Sequence, residues 1–267
     1  MASPRLLRTD AVVLRRHDLG ETDRVITLYT SVQGKLRAIA KGVRRPTSKL
    51  GGHLELFTHN HLMLARGRSL DVITQVETIS SFIGLREDLW RTGLAYYVAE
   101  LVDRLTEDRS ENRTLFDLLV ASLDRIATAR RPDQAVRLFE FQAIGVLGFR
   151  PELRDCVHCR NTLEPVGNVF SNLHGGILCR TCRSADPLSL PLSTNGLKVL
   201  RLYQDGNWNL VSRLHFTPEL TNELEQISSG YASYVADSQL KSASFVAALR
   251  RDGLSLSPPQ TRPDLSS

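Results

Sequence analysis

The chain lacks the signatures of most nucleotide-using and hydrolytic enzymes. Its 267 residues contain no GxxxxGK followed by Ser or Thr, no GxGxxG after a strand, no GxSxG and no HExxH. That excludes the usual phosphate cradle, nucleophile elbow and helical His pair of a catalytic zinc. No apolar run approaches the roughly 18 residues of a membrane span, and the opening MASPRLLRTD has no long apolar core behind its charges, so neither membrane insertion nor export is expected. Cysteine is scarce, with four residues in two CxxC pairs. Without an export signal, that usage points to a reducing compartment and to metal binding rather than disulfides.

A local absence is equally informative. Gly34–Gly52, GKLRAIAKGVRRPTSKLGG, holds six Lys and Arg and no carboxylate. As a strand, Lys35–Lys41 alternates Lys35, Arg37, Ile39 and Lys41 on one face with Leu36, Ala38 and Ala40 on the other. The reading is a basic track over a core. Gly42 and Pro46 punctuate a following loop with Arg44, Arg45 and Lys49, expected to be a flexible arm suited to a phosphate backbone. A solvated basic surface accounts for the same charges. The net charge is +5, yet residues 1–49 hold eleven Lys and Arg against Asp10, Asp18, Glu21 and Asp23. The excess sits at one end, which favours an anionic partner there.

With 42% hydrophobic residues the chain can bury a sizeable core. Strands are predicted at Thr9–Arg16, Arg24–Thr30, Lys35–Lys41, Leu54–Leu64 and Asp71–Ser80. Five short strands with a long loop and a basic outer face suggest a small oligonucleotide-binding (OB) barrel over residues 1–81. Tyr29 and Phe57 are read as core rather than base-stacking platforms. Glu21 and Asp23 are read as a salt-bridged turn beside Arg24, and His53, His59 and His61 as surface residues. Helical periodicity then runs through Leu85–Leu105, Asn112–Thr128 and Pro132–Leu147, the last apolar around most of its circumference and so the centre of a bundle. Further helices follow at Pro218–Val235 and Gln239–Leu249. The expected architecture is α+β multidomain: the barrel, a helical domain over residues 82–150 and 187–251, an inserted knuckle over 151–186 and a flexible tail over 252–267.

Cys156-x2-Cys159 and Cys179-x2-Cys182, nineteen residues apart, have the spacing of a four-cysteine zinc site. Val169–Phe170 and Ile177–Leu178 can form the intervening hairpin. Four thiolates leave no open position, so the predicted zinc is structural, and a zinc-dependent nucleic-acid enzyme would lack its water. His158 and His174 are not needed as ligands. Arg154, Arg160, Arg180 and Arg183 can offset the negative charge of the cluster.

Several strings resemble the RecO family of bacterial recombination mediators. LGETDRVITLYT at 19–30 and GKLRAIAKGVRRPTSKL at 34–50 are similar to its N-terminal segment, GFRPELRDCVHC at 148–159 and FSNLHGGILCRTC at 170–182 to the two sides of its knuckle, and Leu240–Leu249 to its closing helix. Some members lack cysteines there; this chain has all four and resembles the zinc-bearing form. The resemblance implies a non-enzymatic, cytoplasmic and nucleoid-associated protein. Such a protein binds single- and double-stranded DNA, anneals complementary strands, binds RecR and the single-stranded DNA-binding protein, and helps load RecA. It implies Arg24, Lys35, Arg37, Lys41, Arg44, Arg45 and Lys49 as DNA-facing residues, with Lys241, Arg250 and Arg251 weaker. An alternative is a scaffold that docks the acidic tail of the single-stranded DNA-binding protein, DNA contact being secondary.

Overall fold

The computed structural model describes residues 6–253; most of the tail expected over 252–267 lies outside them. Five strands, β1 (Leu6–Leu19), β2 (Asp23–Thr30), β3 (Gly34–Ala40), β4 (His59–Ala65) and β5 (Asp71–Ser80), form a closed OB-like barrel in the order β1-β2-β3-β5-β4. Closure rests on β1. Its first half pairs with β4, from Leu6 opposite Ala65 to Val12 opposite His59, and its second half with β2, from Ala11 opposite Thr30 to Leu19 opposite Asp23. A register shift between Val13 and Arg15 bends the strand between these partners. β3 meets β5 in parallel, Ala38 opposite Asp71.

Alternation sorts the side chains. Ala11, Val13, Ile26, Leu28, Leu36, Ala38 and Leu62 fill the barrel. Val12, Leu14 and Tyr29, pointing outward, are also buried, because helices cover that side. Tyr29 and Phe57 are thus core, as read, but in the core shared with the helices, where Phe57 packs edge-on against Tyr96 at 5.0 Å. The predicted strand Leu54–Leu64 begins only at His59: Phe57 turns through φ 69°, its N–H donates to Val13 O at 2.9 Å, and Leu54 instead fills the barrel. Gly34, at φ +63°, lies so close to Ser110 that a Cβ would fall 1.9 Å from that carbonyl oxygen, so glycine is required both for the turn and for the contact.

The helices are α1 (Gly84–Glu87), α2 (Leu89–Leu105), α3 (Arg113–Thr128), α4 (Pro132–Val146), α5 (Thr194–Asp205), α6 (Trp208–Val211), α7 (Pro218–Val235) and α8 (Lys241–Arg251). The single helix expected from Leu85 is split at Asp88, an extended residue whose side chain accepts from Arg91 N at 3.1 Å and caps α2. α4 is the buried centre of the bundle, with Leu138, Phe139 and Ile144 inaccessible. It also carries a buried ion pair. Arg137 donates to Glu140 Oε1 at 2.9 Å, Tyr97 donates to the same oxygen, and Ser228 lies 3.4 Å from the guanidinium.

The cysteine segment forms a three-stranded antiparallel sheet of β6 (Val169–Ser171), β7 (Gly176–Leu178) and β8 (Leu190–Pro191), in the order β7-β6-β8. The hairpin was legible; β8, two residues long, was not. Leu153, Phe170 and Ile177 join the core of the helices, Phe170 lies edge-on to Tyr231 at 5.4 Å, and Arg201 donates to Leu153 O at 2.7 Å. This segment and the bundle therefore share one apolar interior.

Candidate metal centre and nucleic-acid interface

The four thiols, brought together by the β6–β7 hairpin and the turns beside it, all lie within 4.8 Å of one another, and Cys156 is buried. The Cys159 and Cys179 sulfurs are 3.8 Å apart. A tetrahedron with Zn–S bonds of about 2.3 Å has edges of about 3.8 Å, so the donors fit a metal ion of that size. Cys179 N–H donates to Cys156 Sγ at 3.4 Å. The Thr181 hydroxyl, then the N–H and thiol of Cys182, pull the Cys179 thiol down to about 6, whereas loss of hydration and then the Cys179 and Cys159 sulfurs push Cys182 up to about 12. Thiols this close cannot all ionise without a cation among them. The four cysteines can hold a metal ion. Arg154, Arg160, Arg180 and Arg183, which flank the cysteines in sequence, are all exposed and without an ion pair among the described residues.

The seven basic residues divide by what holds them. Lys41, Arg45 and Lys49 are exposed and make no ion pair among the described residues. Arg37 is 59% exposed, with only Asp108 at 3.9 Å. Arg24 and Arg44 share Asp18, at 2.8 and 3.4 Å. Lys35 is different: 12% exposed, it donates to Asp103 O at 2.5 Å and lies 3.2 Å from the Asp103 carboxylate, which also binds Arg15 at 2.9 Å. Its ammonium is part of the joint between barrel and α2.

The basic loop is tied down rather than a free arm. Val43 and Leu54 are buried in the barrel, Arg44 N–H donates to Thr22 O at 2.9 Å, and Gly42 N–H to Asp23 Oδ1 at 2.7 Å. That N–H, followed by the Thr22 hydroxyl, holds the Asp23 carboxyl below its ordinary range. Asp23 therefore clamps backbone instead of pairing with Arg24. The histidines do not converge: His61 pairs with Asp10 at 2.8 Å, His53 Nδ1 lies 2.8 Å from Thr78 Oγ1, and His59 is partly buried edge-on to Phe116 at 5.6 Å, where burial lowers its pKa. Of the weaker C-terminal candidates, Arg250 pairs with Glu225 and stacks over Trp90 at 5.4 Å, while Lys241 and Arg251 are exposed.

Sequence reasoning missed the three carboxylates that organise this face, Asp18, Asp103 and Asp108. Asp18 stands opposite Arg24 in the β1–β2 register, so hairpin pairing contains that signal; Asp103 and Asp108 arrive from the helical part and leave none. Among the described residues no helix is long and apolar enough to cross a membrane.

Comparison with known proteins covers both halves of the chain. Residues 1–82 match the family described as Recombination protein O N terminal, and residues 86–244 the Recombination protein O C terminal. The chain is 38% identical over 247 residues to the DNA repair protein RecO of Roseiflexus sp., covering 92% of this chain and 87% of that one. It is 34% identical over 250 residues to that of Dehalococcoides mccartyi, covering 94% and 98%, and 34% over 246 residues to that of Halalkalibacterium halodurans, covering 92% and 96%.

Proposed function

The chain belongs to the recombination protein O family of DNA repair proteins, and from that premise we propose that it is a recombination mediator acting without a catalytic step. It binds single- and double-stranded DNA through phosphate attraction, anneals complementary strands, and helps load RecA together with RecR at the nucleoid. The observation that carries this reading is the basic edge of the barrel: Lys41, Arg45 and Lys49, exposed and in no ion pair among the described residues, beside an exposed Arg37. Neutralising phosphates there releases counterions, and two strands on one basic surface repel each other less. The metal is structural zinc, held by Cys156, Cys159, Cys179 and Cys182. Bound zinc cross-links the two CxxC turns.

The test is single-stranded DNA affinity against salt for the parent and for a variant with Lys41, Arg44, Arg45 and Lys49 all changed to alanine. The slope is expected to flatten by about 2–3, at roughly 0.7 per phosphate contact on a single strand. Coincident slopes would remove the interface from this face.

A second reading is favoured by one groove. About 560 Å³ opens between barrel and helices, where Leu14, Tyr96 and Phe245 meet four cations, Arg15, Arg16, Arg104 and Lys241, against two carboxylates, Glu100 and Asp103; the apolar wall and the cationic excess suit an acidic peptide with an apolar end, such as the tail of the single-stranded DNA-binding protein. Phe245→Ala with Arg104→Ala is expected to weaken binding of a labelled acidic peptide at least about tenfold, the loss of one buried anchor and its cation, and to leave DNA affinity unchanged. Peptide affinity equal to the parent's would exclude the groove.

A further inference from the structure

The basic face carries anions of its own. Arg24 Nε donates to one oxygen of Asp18 at 2.8 Å and Arg44 lies 3.4 Å from the other, so a single carboxylate, half in solvent, sits in the fork of two cations. Asp108 stands likewise between Lys35 and Arg37, 3.9 Å from each and 56% exposed. Exposed pairs of this kind are weakly held and exchange readily. Asp103 is the contrast: 13% exposed and bonded to Lys35 and Arg15, it belongs to the joint between domains.

Resting on the nucleic-acid reading of this face, the geometry points to two phosphate seats, one between Arg24 and Arg44 and one on Arg37, where the Lys35 ammonium, already held by Asp103, adds only its field. Each is occupied by a carboxylate of the chain until a phosphodiester replaces it. Carboxylate and phosphate oxygens are taken by the same guanidinium and ammonium donors, and the two anions cannot share one fork without repulsion. Binding a strand therefore exchanges anions. The phosphate sheds condensed cations, but the freed carboxylate returns to solvent beside the strand and repels it, so each seat favours binding less than its cations imply. Asp18 and Asp108 hold affinity down in this way, and a strand bound by exchange is also released by exchange, which suits a protein that must hand strands on.

The test uses the full-length protein and a fluorescent oligo-dT strand, titrated across salt concentrations. Asp18→Asn and Asp108→Asn are each expected to raise affinity about three- to tenfold at low salt and to steepen the salt slope by up to about 0.7. Asp117→Asn is the control for net charge, since Asp117 is 57% exposed and pairs with Arg113 on α3 at 2.9 Å. Thermal melts check that all three variants fold as the parent does. Affinity in the Asp18 and Asp108 variants equal to that of the Asp117 variant overturns the seats. A fall in affinity overturns them too, and makes the carboxylates supports for the arginines. A flattened slope in the four-alanine variant alongside either result leaves the nucleic-acid face standing. An unflattened slope there removes the face and the seats together.

Discussion

Cys156→Ser is expected to leave the purified protein with well under one equivalent of zinc and to lower its unfolding midpoint by more than about 10 °C. The free energy of structural zinc binding is folding free energy, about 10 kcal/mol or more in isolated fingers, and each kcal/mol moves the midpoint of a chain this size by about 2–4 °C. Cys156 is the buried member of the four, and the N–H of Cys179 points at its sulfur. The effect should spread beyond the cysteine turns, because Leu153, Phe170 and Ile177 stand in the core shared with the helices. Metal analysis and a thermal melt, repeated after treatment of the parent with a strong chelator, measure it. Stoichiometric zinc in the variant with an unchanged midpoint would remove Cys156 from the site; iron in the parent would correct the metal.

The second large effect lies at the centre of the bundle. Glu140→Ala is expected to cost about 3–5 kcal/mol, the usual price of stranding one member of a buried ion pair. Glu140 is fully buried and Arg137 nearly so, and Arg137, Tyr97 and Ser228 bring α4, α2 and α7 to one point. Burial alone holds the Glu140 carboxyl above its ordinary range, and the Arg137 guanidinium opposes that shift. Removing the carboxylate leaves the nearly buried guanidinium without its ion-pair partner. Arg137→Met combined with Glu140→Leu should recover most of the loss, since a matched apolar pair has no charge to desolvate. Urea unfolding of the three proteins decides it. A Glu140→Ala cost below about 1 kcal/mol, or no recovery in the double variant, would show that the pair is not what holds the three helices.

Much of this architecture was legible because local patterns fixed it. Period-two alternation in β3 set Leu36, Ala38 and Ala40 inward and Arg37 outward, as found, and the apolar circumference of α4 marked it as the buried helix. The CxxC spacing brought four sulfurs together. The reading failed where a residue far along the chain competes with the local pattern. Leu54 alternates with Leu62 as if in one strand, yet the turn at Phe57 bonds to Val13 in β1 and Leu54 fills the barrel. Asp88 interrupts a continuous helical pattern because its side chain caps the helix that follows.

The sequence alone determined which side chains are charged, where the charge collects, which faces are apolar and which four thiols can meet, since these follow from residue type and spacing within one element. Only the tertiary structure decided which charges are free. Lys35, with the same sequence credentials as Lys41, spends its ammonium on Asp103, 68 residues away, while Lys41, Arg45 and Lys49 keep theirs in solvent. An ion pair acts over a few ångströms of space and is indifferent to distance along the chain, so no local pattern records it until the fold has closed.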